Sequence, residues 1–150
     1  MPRFNYRFES ILRLHEQIRD EARLQLAQAR EAMNIIQQQI DEIVQRRQQA
    51  RQANRQNLIG TISVDNLLDQ GRFDVVLEGQ ERGLQEKLAQ IEQEIERRAH
   101  RLTLAEQEYR KFEKLKEIAR QQHDQEALRV EQVMLDEIAS RRSLSPPGDF

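Results

Sequence analysis

The stretch NLIGTISVDNLLDQGRFD, residues 57–74, divides the sequence into two parts and decides its fold. Gly60 favours the end of a helix, because glycine readily adopts the left-handed conformation that closes a last turn. Ser63, two residues before Asp65, can accept a hydrogen bond from the first turn of a new helix. The stretch therefore predicts a short break, at about residues 58–63, between two helices that fold back on each other.

Upstream of this break, residues 4–57 contain no glycine or proline and are rich in Gln, Glu, Arg and Ala, which are good helix formers. They predict one uninterrupted helix, whose apolar side chains recur at the spacing of a coiled-coil seam. The predicted seam comprises Phe8, Ile11, His15, Ile18, Ala22, Leu26, Ala29, Met33, Ile36, Ile40 and Ile43. Longer spacings around Ala22 and Leu26 predict a stutter, which would locally relax the left-handed supercoil.

Downstream of the break a second, longer helix is predicted. Its apolar stripe comprises Phe73, Leu77, Gln80, Leu84, Leu88, Ile91, Ile95, Ala99, Leu102, Ala105, Tyr109, Phe112, Ala119, Val130, Met134 and Ile138. Three glycines, Gly71, Gly79 and Gly83, weaken the beginning of this helix, since each costs about 1 kcal/mol relative to alanine.

Together the two patterns predict an all-α fold, a long antiparallel two-helix coiled-coil hairpin whose second helix is longer than the first. We expect a single domain at residues 1–142, with helix one at about 4–57 and helix two at about 64–142, and a disordered tail at 143–150. At about 1.5 Å per residue the helices would span about 80 and 120 Å, which places Phe4 beside the Leu115 region. Roughly the last 25 residues of helix two would then extend past helix one and leave an apolar stripe uncovered.

Composition excludes several functional classes. With 33% charged and 37% hydrophobic residues, the chain has apolar residues too dilute for a thick core. It has no cysteine, which removes disulfides, thiol nucleophiles and cysteine-based metal sites and fits a reducing cytoplasm. The first residues, MPRFNYRFESILRL, interleave arginines with apolar side chains and predict neither a secretory signal nor a membrane span. A net charge of -2 argues against a dedicated nucleic-acid binder.

No group of residues predicts catalysis or a bound cofactor. The three histidines, His15, His100 and His123, lie in no HExxH or ExxH arrangement that would point a histidine and a carboxylate at one metal. His15 falls on the predicted seam, and the other two are expected on or beside the solvated face. Gly79 and Gly83 are followed by no Lys with Ser or Thr, so no phosphate-binding loop is predicted. We therefore expect a non-enzymatic protein without catalytic, metal-binding or cofactor-binding residues.

The stretch RRQQARQANRQN, residues 46–57, has the clearest charge bias in the chain. Arg47, Arg51 and Arg55 recur every four residues and predict one basic helix face. A solvated face is the first interpretation, an acidic protein surface the second and nucleic acid the third, since no aromatic side chains are interleaved for base stacking. The N-terminal arginines and phenylalanines also suit a membrane surface, although their seam is in phase with the rest of helix one.

Both ends of the chain carry a family resemblance. FNYRFESILRLHEQIRDEARLQLAQA, residues 4–29, resembles the N-terminal signature of the flagellar export protein FliJ family, and FEKLKEIARQQHDQEALRVEQVMLDEIASRR, residues 112–142, resembles its C-terminal signature. The likeness covers nearly the whole chain, including its length and the break near its middle. It implies a component of the bacterial flagellar type III export apparatus, and hence a role in motility.

The resemblance also implies partners. Family members look like the central stalk of rotary ATPases, with a terminal end that inserts into the hexameric export ATPase ring and a hairpin part that reaches the membrane export gate. The residues expected at the ATPase ring are Phe4, Phe8, Ile11, Leu12, Leu128, Val130, Met134, Leu135, Ile138, Arg141 and Arg142. The residues that match the family's gate contact are Phe73, Leu77, Gln80 and Leu84, of which Gln80 and Leu84 depart from the family's small and histidine character. Seam packing explains Phe73 and Leu77 equally well.

Family members are also described as escorts of export chaperones, a role that an open apolar stripe could serve. We expect a monomer in the cytoplasm, peripheral to the cytoplasmic face of the inner membrane at the flagellar base, without membrane insertion. A generic coiled-coil adaptor that dimerises through the uncovered stripe is the alternative. A nucleic-acid binder acting through the basic face is a third class, and would require a salt-sensitive affinity.

Overall fold

The computed structural model describes residues 3–57, 60 and 63–144 and consists of two helices. Helix α1 spans Glu9–Asn57 and helix α2 spans Val64–Ser143, so the second helix is the longer one. The helices pack as an antiparallel hairpin, which confirms the predicted fold class. Two compact units divide the chain: unit one joins Met1–Arg19 to Leu104–Phe150, and unit two is Asp20–Thr103.

The break between the helices contains Gly60, three residues after α1 ends at Asn57. Gly60 has a φ of +148°, which glycine adopts without the steric cost that a side chain would bring. Ser63 occupies the N-cap position of α2, because its carbonyl accepts the Leu67 N–H at 3.2 Å. Residues 58, 59, 61 and 62 of the predicted break, and residues 145–150 of the predicted tail, lie outside the described residues.

The seam of α1 follows an unbroken heptad pattern, so the predicted stutter is wrong. Near the start of α1, Leu12 and Arg19 take inward positions, whereas Ile11 and Ile18 of the predicted seam are exposed. Arg19 can take an inward position because its guanidinium lies 4.1 Å from the centroid of the Tyr109 ring, where a cation is stabilised by the aromatic face. The buried and half-buried positions that continue the pattern are His15, Ala22, Leu26, Ala29, Met33, Ile36, Ile40, Ile43, Arg47, Ala50 and Asn54.

The seam of α2 also differs from the predicted stripe near its beginning. Asp74 and Glu81 take the inward positions there, while Phe73 and Gln80 are exposed. The inward carboxylates both bind Arg47 of α1, a pairing that apolar periodicity cannot reveal. Farther along, the half-buried positions Leu84, Leu88, Ile91, Ile95, Leu102, Tyr109, Phe112 and Ala119 agree with the prediction.

Unit two is held together by one thin apolar layer and by polar links between the helices. Among the described residues, Leu26, Ala29, Ile40, Ile43 and Leu77 are its buried apolar side chains. Arg98 adds a link, because its Nη1 donates to the Gln25 carbonyl at 2.6 Å and its Nε donates to Glu94 at 3.0 Å. Gln25 of α1 contacts Arg98 of α2, whereas Arg47, farther along α1, contacts Asp74, which lies earlier in α2. Partners that move in opposite directions along the two helices are what an antiparallel arrangement requires.

Unit one pairs the N-terminal segment with the second half of α2. Ring stacking joins His15 to Phe112 at 4.5 Å, and Lys116 pairs with Glu9 at 2.8 Å. Residues 3–8, which precede α1, are not helical, and the Phe4 ring meets His123 at 5.5 Å.

Two predictions for unit one are therefore wrong. Helix one begins at Glu9 instead of about Phe4, and Phe4 contacts His123 instead of the Leu115 region. Non-helical backbone covers up to about 3.3 Å per residue, against about 1.5 Å in a helix, so the N-terminal segment reaches farther along α2. The uncovered part of α2 is correspondingly shorter than predicted, and its fully exposed run begins at Leu128.

We predict that Leu26→Ala destabilises the protein by about 2 kcal/mol, because it removes a buried side chain from a layer with no second layer behind it. Leu24→Ala is the matched control, since Leu24 is exposed on the same helix and should cost less than about 0.5 kcal/mol. Urea unfolding followed by circular dichroism measures both. Equal costs for the two variants would contradict the assigned seam.

We also predict an acid-dependent contribution from Glu94. The hydrogen bond from Arg98 holds the pKa of Glu94 below its ordinary value of 4.5. Because the folded-state pKa is depressed, ionised Glu94 stabilises the fold when the pH lies above the ordinary pKa. This stabilisation is lost as the pH falls through the lower folded-state pKa. The difference in melting temperature between wild type and Glu94→Gln should thus be constant near neutral pH and shrink below about pH 4.5. Glu92→Gln, which removes an exposed carboxylate nearby, is the matched control.

Candidate protein-binding surfaces

The end of α2 presents the largest run of exposed apolar side chains in unit one. We call Leu128, Val130, Val133, Met134, Leu135 and Ile138 the C-terminal stripe. Their exposure ranges from 49% for Val130 to 64% for Leu128. Every described residue from Leu128 to Leu144 is exposed, so no described part of the chain covers this stripe. Val133 is the member that the predicted set did not include.

The C-terminal stripe surrounds much of the helix. Val130, Met134 and Ile138 are spaced by four and form one row, and Leu128 and Leu135 are spaced by seven and form a second. At 3.6 residues per turn these rows lie about 100° apart, and Val133 lies about 100° to the other side of the first row. Apolar side chains thus face three sides of α2. Arg141 and Arg142 follow in the last turn, where cations suit the negative end of the helix dipole.

The N-terminal segment contributes only part of its predicted residues to a free surface. Phe8 and Ile11 are exposed, and the Phe8 ring is flanked by Tyr6 at 5.9 Å and by the Arg7 guanidinium at 5.6 Å. Leu12 is buried in the seam, and Phe4 is half-buried against His123. All of these residues belong to the same unit as the C-terminal stripe.

The four residues of the candidate gate contact at the beginning of α2 differ in exposure. Leu77 is only 3% exposed and Leu84 is half-buried, so both pack against α1. Phe73 is 50% exposed and Gln80 is exposed. Seam packing therefore accounts for Leu77 and does not account for Phe73.

Phe73 lines an open groove of about 530 Å³ between the end of α1 and the beginning of α2. Ala50, Leu67 and Gly71 supply apolar wall, and Arg51 and Asp69 supply charge at its edges. Further exposed apolar residues surround the beginning of α2: Val64, Leu68, Val75 and Val76. The sequence analysis missed these residues because they do not lie at heptad positions. Apolar residues outside the heptad positions of an otherwise polar helix are the signal that could have identified them.

The prediction that Arg47, Arg51 and Arg55 share one basic face is wrong. Arg47 points into the seam, where its Nε donates to Asp74 at 3.2 Å and its Nη1 donates to Glu81 at 2.7 Å. These hydrogen bonds, to Asp74 first and then Glu81, raise the pKa of Arg47 above its ordinary value. Arg51 and Arg55 are exposed.

Two of the three histidines occupy packing positions. His15 is half-buried in the seam on Phe112, as its position in the sequence predicts, and His100 is exposed. His123 is half-buried, and its Nδ1 is enclosed without a hydrogen-bond partner, 3.6 Å from the carboxylate of Asp124. Over residues 3–57, 60 and 63–144, no group of three or more His, Cys, Asp and Glu side chains could hold a metal ion. Within the same ranges neither helix has the length and apolar character needed to cross a membrane.

Comparison with known proteins gives one match. A family model described as Flagellar FliJ protein matches residues 4–147, nearly the whole chain. No curated protein and no solved structure matches the sequence. The matched region contains both the C-terminal stripe and the groove beside Phe73.

Substitution separates packing from surface exposure at the beginning of α2. Leu77→Ala should destabilise the protein by about 2–3 kcal/mol, because Leu77 fills the seam. Phe73→Ala should cost less than about 0.5 kcal/mol, because the ring packs little against the chain. Chemical unfolding of both variants measures the difference. A large loss of stability in Phe73→Ala would place that ring in the seam after all.

Proposed function

The chain belongs to the flagellar FliJ family of non-enzymatic flagellar export components, and from this premise we propose that it is a stalk-like coupling element. In this proposal the end of α2 enters the ring of the flagellar export ATPase, and the beginning of α2 contacts the membrane export gate. The chain performs no chemistry itself and transmits ATP turnover in the ring to the gate.

The distribution of apolar side chains around the end of α2 carries this proposal. A helix that docks on one flat surface needs one apolar row, whereas apolar side chains on several sides of a helix can contact partners from several directions. The C-terminal stripe faces three sides of α2, and nothing in the described chain covers it. The opening of a ring of subunits contacts an inserted helix from several directions, which fits this pattern.

Charge adds to the fit at the same end. Arg141 and Arg142 lie in the last turn of α2, next to the apolar rows that precede them. Acidic groups on the inner wall of the ring would pair with these arginines once the apolar rows are inserted. Phe8 and Ile11, exposed in the same unit, would add apolar contact from the N-terminal segment.

The proposed gate contact uses Phe73 and its groove. The exposed face offers the Phe73 ring, the Gln80 side chain and the apolar wall of Leu67 to a partner. Leu77 and Leu84 lie behind this face, in or beside the seam. A protein with these two contacts would be found in the cytoplasm, at the inner face of the membrane below the flagellum.

A homodimerising adaptor is the competing function, and the geometry of the C-terminal stripe argues against it. A two-stranded coiled coil buries one apolar seam on each helix, so the remaining rows of a dimer would stay exposed to water. An escort of export chaperones could use the same stripe and is compatible with the stalk. The two roles differ in which protein binds the stripe.

Substitution of the first row should weaken binding to the export ATPase. Met134→Ser combined with Ile138→Ser removes two apolar side chains of about 1.5 kcal/mol each, so the dissociation constant should rise by about a hundredfold. Helix content should hardly change, because both residues are exposed. Isothermal titration calorimetry against the cognate ATPase measures the affinity, and circular dichroism measures the helix content.

The matched control is Leu24→Ser combined with Ile35→Ser, which alters apolar residues of similar exposure on α1. A second test variant, Leu128→Ser combined with Leu135→Ser, alters the second row of the stripe. Insertion into a ring predicts that both rows matter, and docking on one surface predicts that only one does. Unchanged affinity after substitution of the first row would refute the proposed contact.

A further inference from the structure

Three charged side chains occupy inward positions of the seam in unit two. Arg47 of α1 lies between Asp74 and Glu81 of α2, with donor to acceptor distances of 3.2 and 2.7 Å. The side chains of Arg47 and Glu81 are each 18% exposed, so the closer pair is largely withdrawn from water. We call these three residues the charged trio.

The charged trio strongly favours the paired arrangement of the helices. A guanidinium held away from water needs carboxylate partners, and removal of one partner leaves a poorly solvated charge. One arginine bonded to two carboxylates by charge-assisted hydrogen bonds satisfies this requirement. The trio therefore fixes the beginning of α2 against α1 at one register.

The apolar seam is weak on the side of the trio that faces the break. Leu77 on α2 and Ile43, one turn before Arg47 on α1, are buried, whereas the inward positions toward the break are Ala50, Asn54 and Gln70. Of the glycines nearby, Gly71 and Gly79 have no atom within 4 Å of where a Cβ would lie, so no contact within the described chain requires them. Each nevertheless lowers the stability of the helix. The beginning of α2 is thus held by the trio together with Leu77.

We propose that the charged trio is a latch that keeps the beginning of α2 closed on α1 and thereby limits access of the gate partner to Leu77 and Leu84. This inference rests on the proposed gate contact. In the closed state Leu77 packs in the seam and Leu84 is half-buried, so Phe73 is the exposed apolar residue of the proposed contact and Gln80 is exposed beside it. Opening of the latch adds Leu77 and Leu84 to the Phe73 surface and completes an apolar stripe for the partner.

The latch makes a quantitative prediction, because a partner that binds only the open state has its apparent affinity reduced by the fraction of molecules that are open. Weakening the latch raises that fraction. A latch variant should therefore increase the open fraction and the affinity for the partner by the same factor, as long as most molecules remain closed.

The first measurement is hydrogen exchange of the amides of residues 73–84, followed by mass spectrometry. Arg47→Gln should speed exchange of this segment about tenfold, since it leaves two carboxylates without their cation. Asp74→Asn combined with Glu81→Gln should do the same from the other helix. Arg51→Gln, which alters an exposed arginine one turn along α1, should leave exchange unchanged. Exchange at the wild-type rate in both latch variants would overturn the latch.

The second measurement is affinity for the cytoplasmic domain of the cognate export gate protein, with Arg30→Gln as a control for loss of an exposed arginine. Both latch variants should bind about tenfold more tightly than wild type, in step with their exchange rates. If the latch variants exchange faster but bind no more tightly than wild type, the latch does not control access of the gate partner. That result would not affect the proposed gate contact itself. Absence of binding by wild type and variants alike overturns the proposed gate contact, and the latch as its regulator with it.

Discussion

The single seam between α1 and α2 is the constraint on which the rest of the structure depends. Each helix can bury only one narrow face, because no third element packs on the opposite side within the described chain. The heptad spacing of inward residues therefore decides which side chains are available to partners. Small residues such as Ala29 and Ala105 let the helices approach closely, and larger ones such as Leu26 fill the space between them.

The unequal lengths of the helices turn this constraint into an exposed apolar surface. Helix α2 has 80 residues and α1 has 49, so α1 cannot cover all of α2. The N-terminal segment extends the covered region as far as His123 by leaving the helical conformation. From Leu128 to Leu144 no described part of the chain covers the helix, and apolar side chains recur there although solubility alone would favour polar residues.

The fold was largely predictable from sequence, and the seam register was only partly so. Helix propensity, the glycine at position 60 and heptad spacing are local signals, and they predict the two helices and their order. The inward positions of Arg19, Asp74 and Glu81 depend on partners far along the chain, so an apolar pattern assigns their neighbours Ile18, Phe73 and Gln80 instead.

The same distinction applies to the candidate surfaces. The exposure of the C-terminal stripe follows from helix lengths, which a sequence reveals. The division of the candidate gate residues into exposed Phe73 and buried Leu77 accompanies the inward positions of the charged trio, which only the packed structure reveals. The family resemblance at the two ends of the chain agrees with the family match over residues 4–147.

In the proposed function a single chain acts as a stalk through the end of α2. The most direct test is the rate of ATP hydrolysis by the cognate flagellar export ATPase with and without this protein, together with the mass of the free protein by light scattering. The stalk predicts stimulation of the ATPase by a protein that is monomeric in solution. No stimulation, together with a stable homodimer, would contradict the stalk and identify an adaptor.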